Sequence, residues 1–143
     1  STMTGALRPS FHAYKNTGQT IANNTNTTVT WEVETFDSDG KMDITTNERF
    51  EPEVAGYYYM HCMLGITNMP ADKYCQIRVQ KNDSDIFTRW QQFASTTDAP
   101  VNASWVVYLD ADDHVRIQVR QNSGSDQDTR GDEECSFLAF RIH

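Results

Sequence analysis

The sequence predicts an all-β sandwich or barrel, and three features of the 143-residue chain indicate it. No window longer than ten residues carries an apolar stripe with the period of an amphipathic helix. Short runs alternate instead between apolar and polar residues, which is the pattern of a half-buried strand. Clusters of Gly, Asn, Asp and Ser separate these runs, as turns do. We therefore expect about eight to ten strands in one domain, with no linker that divides the chain.

Five runs carry the strand pattern most clearly. In chain order they are Val29-Trp31-Val33, Cys75-Ile77-Val79, Trp105-Val107-Leu109, Val115-Ile117-Val119 and Leu138-Phe140-Ile142. Turn-forming clusters lie between strands at Asn16-Thr17-Gly18, Asp37-Ser38-Asp39-Gly40, Asn82-Asp83-Ser84, Asp110-Ala111-Asp112-Asp113 and Asn122-Ser123-Gly124-Ser125. Each predicted strand is thus bounded by residues that favour a change of chain direction.

Composition and charge exclude several classes of function. The net charge of -8 argues against binding the phosphate backbone of nucleic acids and disfavours anionic membranes. No apolar run approaches the roughly 18 residues that a membrane span requires, and the first residues lack the pattern of a signal peptide. Cys62, Cys75 and Cys135 have no metal-binding spacing, so we expect buried free thiols, with a disulfide as the alternative.

Two predicted strands are apolar on both faces. In residues 56–64 (GYYYMHCML), one face carries Tyr58, Met60, Cys62 and Leu64, and the other carries Tyr57, Tyr59, His61 and Met63. The strand at residues 105–109 likewise presents Val106 and Tyr108 on its second face. Such a face is covered either by a second layer of the same chain or by another subunit. With no helices predicted as a cover, the second alternative gains weight.

The spacing of seven residues resembles the signature of the C1q-domain family. These residues are Trp31, Asp37, Met42, Phe50, Gly56, Tyr58 and Met60. Residues 109–115 (LDADDHV) resemble a hairpin of that family, and residues 135–142 (CSFLAFRI) resemble its closing strand, so the likeness spans about residues 9–143. The chain departs from the pattern by one extra residue between Met42 and Phe50, and by Met60, Cys62 and Ala139 in place of the usual residues.

The resemblance implies a ten-strand jelly roll, shared with the tumour-necrosis-factor ligands, that assembles as a compact homotrimer without enzymatic activity. Residues 1–9 are then a tail or a linker from a stalk, and residues 10–143 are the C1q-like domain. The side chains expected in the core are Trp31, Phe50, Tyr58, Met60, Cys62, Leu64, Trp105, Val107, Leu109 and Phe140. Those expected in the trimer interface are Tyr57, Tyr59, His61, Met63, Val106 and Tyr108.

The opening segment indicates a setting for such a head. Arg8-Pro9-Ser10-Phe11-His12-Ala13-Tyr14, followed by Thr20-Ile21-Ala22-Asn23, is similar to C1q-like domains in structural proteins of phages and environmental viruses. We therefore expect an attachment or decoration protein on a virion surface. Its expected partners are its own copies, upstream stalk or virion proteins, and a cell-surface protein or glycan receptor. The alternatives are a secreted eukaryotic recognition module and a monomeric, calcium-dependent carbohydrate-binding domain.

Candidate chemical sites are few. The sequence has no nucleophile elbow, phosphate-binding glycine loop or HExxH pair, so we expect no enzyme and no required cofactor. Several C1q-like heads hold Ca²⁺ near the trimer apex, and the candidate acidic ligands are Asp98, Asp110, Asp112 and Asp113, although none of the acidic loops has EF-hand spacing. The alternative is a set of solvated acidic loops.

Two further segments are candidate ligand contacts. Arg130-Gly131-Asp132 forms an RGD triplet in the loop before the last strand, where it would engage an integrin if displayed at a tip. The plain alternative is a charged turn. Trp90 lies in a polar run where an exposed aromatic ring can stack on a sugar, and its alternative role is to fill the core or an interface. Asn23, Asn26, Asn82 and Asn102 each begin an N-glycosylation sequon.

Overall fold

The computed structural model describes residues 8–143, and the regular elements among them are β-strands. In chain order these are β1 (Ser10–Tyr14), β2 (Thr20–Ile21), β3 (Thr27–Thr28), β4 (Val33–Asp37), β5 (Met42–Asp43), β6 (Arg49–Phe50), β7 (Gly56–Met69), β8 (Tyr74–Lys81), β9 (Ser84–Gln92), β10 (Thr97–Leu109), β11 (Val115–Gln121), β12 (Gln127–Asp128) and β13 (Ser136–Arg141). Residues 1–7 of the tail expected at 1–9 lie outside the described residues. In the described part of the chain, no helix is long and apolar enough to cross a membrane.

Two antiparallel sheets form the sandwich. One has five strands in the order β10-β7-β13-β1-β4, and the other has the order β5-β6-β11-β8-β9, with β3 also paired to β11. A third, two-stranded pair joins β12 and β2. Neighbours in the five-stranded sheet are distant in sequence, since the last strand lies between β7 and β1. The chain therefore closes its sheets through long-range pairings, as a jelly roll does.

The longest ladder joins β7 and β10 and positions the surface described below. It runs from Leu109 opposite Gly56 to Thr97 opposite Met69. Because side chains alternate between the two faces of a strand, this register places every second residue of both strands on the same outer surface.

The core lies between the two sheets. Eight of the side chains expected there are buried: Trp31, Phe50, Tyr58, Met60, Cys62, Leu64, Trp105 and Leu109. Val107 is half-buried and packs against this cluster. The strand predicted to begin at Val29 begins at Val33 in the structure. Val29 and Trp31 are nevertheless buried in the core, although they lie outside a strand.

Phe140 corrects the sequence prediction, which placed it in the core. Its side chain is 44% exposed, whereas Phe137 is fully buried. The reason is the register of β13, in which Phe137 lies opposite the buried Cys62 and Phe140 lies opposite Tyr59. The inward-facing positions at the end of the chain are thus Cys135, Phe137 and Ala139.

A buried lysine was not predicted. Lys15 is fully buried beside the end of β1, and its ammonium contacts Glu32 Oε2 at 3.1 Å. The same ammonium donates to Thr30 O at 2.5 Å and to Gln19 Oε1 at 3.3 Å. A buried charge is tolerated only with such partners, so this network ties β1 to the segment that precedes β4.

An exposed aromatic sheet face as the candidate functional site

The outer surface of the five-stranded sheet is built on alternate residues of β7. Tyr57, Tyr59, His61 and Met63 point away from the core because Tyr58, Met60, Cys62 and Leu64 point into it. Tyr57 is exposed, and the other three are half-buried. The second apolar face of residues 56–64 is thus not covered by the described part of the chain.

Strand β10 extends this surface. Its Val106 lies opposite Tyr59 and is 56% exposed, and its Tyr108 lies opposite Tyr57. The rings of Tyr57 and Tyr108 meet edge to face, with centroids 5.1 Å apart. Beside them lies an open groove of about 450 Å³, lined also by Arg141 and His143.

Strands β13 and β4 continue the apolar surface across the sheet. Phe140 contacts Tyr59, with ring centroids 5.2 Å apart, and Phe36 packs on His12 at the far edge. We call the exposed or half-buried group on this surface the aromatic face; it comprises Phe36, Tyr57, Tyr59, Val106, Tyr108 and Phe140. Sequence reasoning missed Phe36 and Phe140, and the one signal for Phe140 was the apolar character of both faces of the last strand.

Polar atoms on the aromatic side of the sheet are partly satisfied within the subunit. The Tyr59 hydroxyl donates to Ser104 Oγ at 3.2 Å, and Nδ1 of His61 hydrogen-bonds with the same oxygen at 2.9 Å. Burial lowers the pKa of His61, because it penalises the charged imidazolium. Internally satisfied polar groups reduce the cost of covering this surface with protein.

All six residues expected in a trimer interface therefore lie on one side of one sheet. Tyr57, Val106 and Tyr108 are exposed, and they adjoin the half-buried Tyr59, His61 and Met63. The surface offers apolar area and a few hydroxyls, and this composition is typical of a protein-binding surface.

The four acidic residues proposed as calcium ligands do not come together, which corrects that prediction. Asp98 lies near the start of β10, whereas Asp110, Asp112 and Asp113 follow its end, and a strand of this length spans on the order of 40 Å. Asp98 pairs with Arg130 at 3.1 Å. Among residues 8–143, no group of three or more acidic, histidine or cysteine side chains is arranged to hold a metal ion.

The Asp113 carboxylate contacts three neighbouring groups of the same chain. Its carboxylate accepts from Asn82 Nδ2 at 2.7 Å and from the backbone N–H of Asp110 at 2.7 Å, and it lies 3.4 Å from Lys81 Nζ. The hydrogen bond from Asn82 and that from Asp110 lower the pKa of this carboxyl group. Asp113 thus organises the turn that precedes β11.

The RGD triplet is folded against its own chain. Arg130 Nη2 contacts Asp132 Oδ2 at 2.7 Å, and Arg130 Nη1 contacts Asp98 Oδ2 at 3.1 Å. A Cβ on Gly131 would lie 2.7 Å from the backbone nitrogen of Gly18, so the loop is packed closely on the turn before β2. An integrin would have to break this internal ion pair before it could bind the arginine and the aspartate separately.

Trp90 does not fill the core. It lies on strand β9, in the other sheet, with 57% of its surface exposed, and its ring is 4.7 Å from that of Tyr74. The three cysteines are free and buried, as the sequence predicted. Burial raises the pKa of the Cys75 thiol to about 12, which makes it unreactive.

Comparison with known proteins identifies the fold. No family model matches the sequence, and neither does any curated protein sequence. The globular domain of zebrafish complement 1qA protein is similar in structure, with a TM-score of 0.65 and 16% identity over 94% of this chain and 98% of that one. Murine APRIL gives a TM-score of 0.68 with 12% identity over 94% and 99% of the two chains. Eiger TNF from S. frugiperda gives 0.63 with 15% identity over 95% and 92%. The predicted all-β jelly roll of the C1q/TNF type is confirmed.

Proposed function

We propose that the chain is the non-catalytic head of a homotrimer that recognises ligands outside the cell, and that it closes through the aromatic face. The observation that carries this proposal is the exposed apolar surface from Tyr108 to Phe140, with Phe36 beyond His12 at the far edge, on one side of the five-stranded sheet. Exposed apolar patches of this kind mark protein interfaces. The resemblance to C1q and TNF heads supports a closed assembly of three.

The aromatic face is large enough to hold an assembly together. A half-exposed aromatic side chain offers on the order of 100 Å² to a partner, so its six residues offer on the order of 600 Å². A standard interface covers about 800 Å² on each partner. Polar groups around the face would supply the remaining area. The hydroxyls of Tyr57 and Tyr108 make no hydrogen bond within the described residues and are free to bond across subunits or to water.

The oligomeric mass tests this proposal. Tyr59→Glu places a carboxylate among Val106, Phe140 and His61, and threefold symmetry would bring three such charges into the closed assembly. We expect analytical ultracentrifugation to show a fall from three times the 16.4 kDa subunit mass to the single mass. The matched control is Ile86→Glu, at an apolar residue that is 44% exposed on the other sheet, and it should leave the trimer intact. A folded wild-type chain that sediments as a monomer at micromolar concentration would refute the assembly.

A virion appendage is the setting that we favour for this head. The opening segment supports it through its likeness to phage and viral C1q-like domains. The sequon at Asn102 also supports it, because Asn102 is exposed opposite Met63 and a glycan there would stand beside the aromatic face. Assembly through that face therefore favours expression without N-glycosylation. Tail, fibre or capsid reading frames beside the gene would agree with this setting, whereas a collagen repeat upstream would favour a secreted eukaryotic module.

A monomeric, calcium-dependent carbohydrate-binding domain is the competing function. The mass measurement separates it from the trimer. Calcium should leave the melting temperature unchanged, since the four candidate acids lie at opposite ends of β10. A rise of several degrees with calcium that a chelator reverses would favour the competing function instead.

A further inference from the structure

The outer surface of the six-stranded sheet carries a second, smaller aromatic feature with a different surrounding. Tyr74 on β8 and Trp90 on β9 are diagonal neighbours, and their rings are tilted by 39° with centroids 4.7 Å apart. Trp90 is the most exposed large apolar side chain among the described residues. The pair forms an open platform at the edge of the sheet, far too small to hold a protein partner by itself.

Planar amide groups lie beside this platform. The register of β8 and β9 places Gln76 directly opposite Trp90 and Gln92 directly opposite Tyr74, on the same face. Gln76 is only 5% exposed, and its Oε1 accepts from Arg78 Nη1 at 3.0 Å. The side chain of Gln76 is thus held in place beside the indole ring, and its amide nitrogen has no hydrogen bond to another described residue. Fixed amides of this kind bind hydroxyl groups, since they donate and accept at defined positions.

One arginine of this surface lacks an acidic partner. Strand β11 and strand β8 contribute Arg78, Arg116 and Arg120 to the outer face, and the first two pair with Asp85 and Asp83. Arg120 lies opposite Gln76, and the contact shown for its guanidinium is Asn26 Oδ1 at 3.3 Å. No carboxylate of the described residues lies within ion-pair distance of it. In a chain with a net charge of -8, a guanidinium left without a carboxylate favours an anionic group on a ligand.

We propose that this surface binds a sugar that carries a carboxylate, such as a uronic or sialic acid residue of a glycan. The apolar C–H face of the pyranose ring stacks on Trp90 and Tyr74, Gln76 and Gln92 bind its hydroxyls, and Arg120 pairs with its carboxylate. Trp90, Gln76 and Arg120 lie on three adjacent strands, so the platform and the guanidinium are separated by about two strand spacings, on the order of 10 Å. A pyranose with its carboxylate and the arginine side chain together span that distance.

This inference deepens the proposed function by naming the class of ligand, and it rests on that function only for its biological meaning. All of the contacting residues belong to one subunit, on the sheet surface opposite the aromatic face. A trimer would present three copies of the site, which would raise the avidity for a surface dense in glycans without changing the affinity of each site.

Ligand-observed NMR titration with two matched pairs of probes tests the ligand class. The pairs are glucuronic acid with glucose, and 3′-sialyllactose with lactose. We expect the acidic member of at least one pair to bind about tenfold more tightly than its neutral partner, because a charge-assisted contact with Arg120 contributes about 1.5 kcal/mol or more. Equal affinities within both pairs, or no binding of either acid at tens of millimolar, would overturn the proposal.

Two substitutions with matched controls test the residues. Trp90→Ala should abolish binding of the acidic sugar, whereas Ile86→Ala, which removes an exposed apolar side chain from the same strand, should not change it. Arg120→Gln should remove the preference for the acidic sugar, whereas Arg89→Gln makes the same change in charge at an exposed position of β9 and should keep it. Binding that survives Trp90→Ala would overturn the site.

The sedimentation mass of the wild-type chain, measured together with its sugar binding, separates the two proposals. A trimer that binds none of the sugars contradicts the site and leaves the assembly standing. A monomer that binds the acidic sugars contradicts the assembly and leaves the site standing.

Discussion

The two sheets of the sandwich expose outer faces with opposite chemistry. The five-stranded sheet carries Tyr57, Val106, Tyr108 and Phe140 to the surface, and its strand β7 is apolar on both sides. The six-stranded sheet instead places glutamines and half-buried arginines on its outer side, and from Val115 to Arg120 its strand β11 alternates between buried valine or isoleucine and half-buried polar residues. One face therefore has the composition of a surface that is covered by protein, and the other that of a surface in contact with water.

The difference shows how a single jelly roll separates assembly from recognition. Apolar area without charge favours a permanent contact between copies, because little desolvation opposes it. Fixed amides and arginines around a small platform favour a polar, exchangeable ligand. The placement of both functions on opposite sides of the sandwich allows a trimer to close without covering its ligand sites.

The largest predicted effect is the difference in stability between two alanine substitutions in one strand, β13. Phe137 contacts Phe11 with centroids 4.9 Å apart in the core, so Phe137→Ala should lower the free energy of unfolding by about 3–5 kcal/mol. Phe140→Ala, on the aromatic face, should lower it by no more than about 1 kcal/mol. Urea denaturation would measure both in the background of Val106→Glu, in which we expect a monomer. Equal losses would show that Phe140 packs in the core and that the register of β13 is different.

Phe137 and Phe140 also show which structural feature the local sequence does not determine, namely strand register. The all-β class, the turns and the inward set of β7 follow from alternation, because Tyr58, Met60 and Cys62 face one way whichever strand pairs with them. Residues 137–140 are apolar on both faces, so alternation does not tell Phe137 from Phe140. Only the pairing of β13 with β7 decides it. Strand register depends on long-range partners that a single sequence does not show.

Part of the candidate site was also predictable from the alternation of side chains along a strand. Tyr57, Tyr59 and Tyr108 were expected at an interface because each lies on the second apolar face of its strand. Phe36 was missed because it reaches this surface only through the pairing of β4 with β1. The buried Lys15 was missed because no local sequence pattern indicates that Glu32 is its partner. Both depend on tertiary neighbours.

A smaller effect is the pH dependence of assembly through the aromatic face. Burial lowers the pKa of His61, which lies beside the aromatic face. A histidine in the unfolded chain has a pKa of about 6.5. The stabilisation from neutral His61 is thus present above the unfolded pKa and is lost as the pH falls through it toward the lower folded value. Closure of the aromatic face would bury the imidazole further, so we expect the trimer to dissociate several-fold more readily at about pH 5.5 than at about pH 7.5.

Sedimentation of two variants assigns this pH effect. His61→Gln should flatten most of the dependence on pH. His12→Gln, at a second histidine on the same side of the sheet, separated from His61 by Leu138, should preserve it. An unchanged acid profile in His61→Gln would show that another group responds to the proton.

The smallest effects compare carboxyl groups on the edge strands of the two sheets. Desolvation by burial and the neighbouring carboxyl group of Asp37 raise the pKa of Glu34, on β4, to about 7. Hydrogen bonds from the backbone N–H groups of Thr45 and Thr46, at 2.9 and 3.0 Å, lower the pKa of Asp43, on β5, to about 2. The stability contributed by Glu34 is therefore lost as the pH rises from about 4.5 through about 7, whereas that contributed by Asp43 is lost as the pH falls from about 3.8 toward about 2.

Thermal unfolding across this pH range should give the two variants opposite signs. Glu34→Gln removes a carboxylate that is ionised at a cost, so it should raise the melting temperature most above about pH 7 and change it little at about pH 4.5. Asp43→Ala removes the acceptor of a tight turn and should cost about 1 kcal/mol at neutral pH, with the deficit shrinking toward about pH 2. The exposed Glu133→Gln is the control for the loss of one negative charge. If Glu34→Gln lowered the melting temperature above pH 7, the Glu34 carboxylate would have to be stabilised by a partner, and β4 would not be the strand on which ionisation opposes folding.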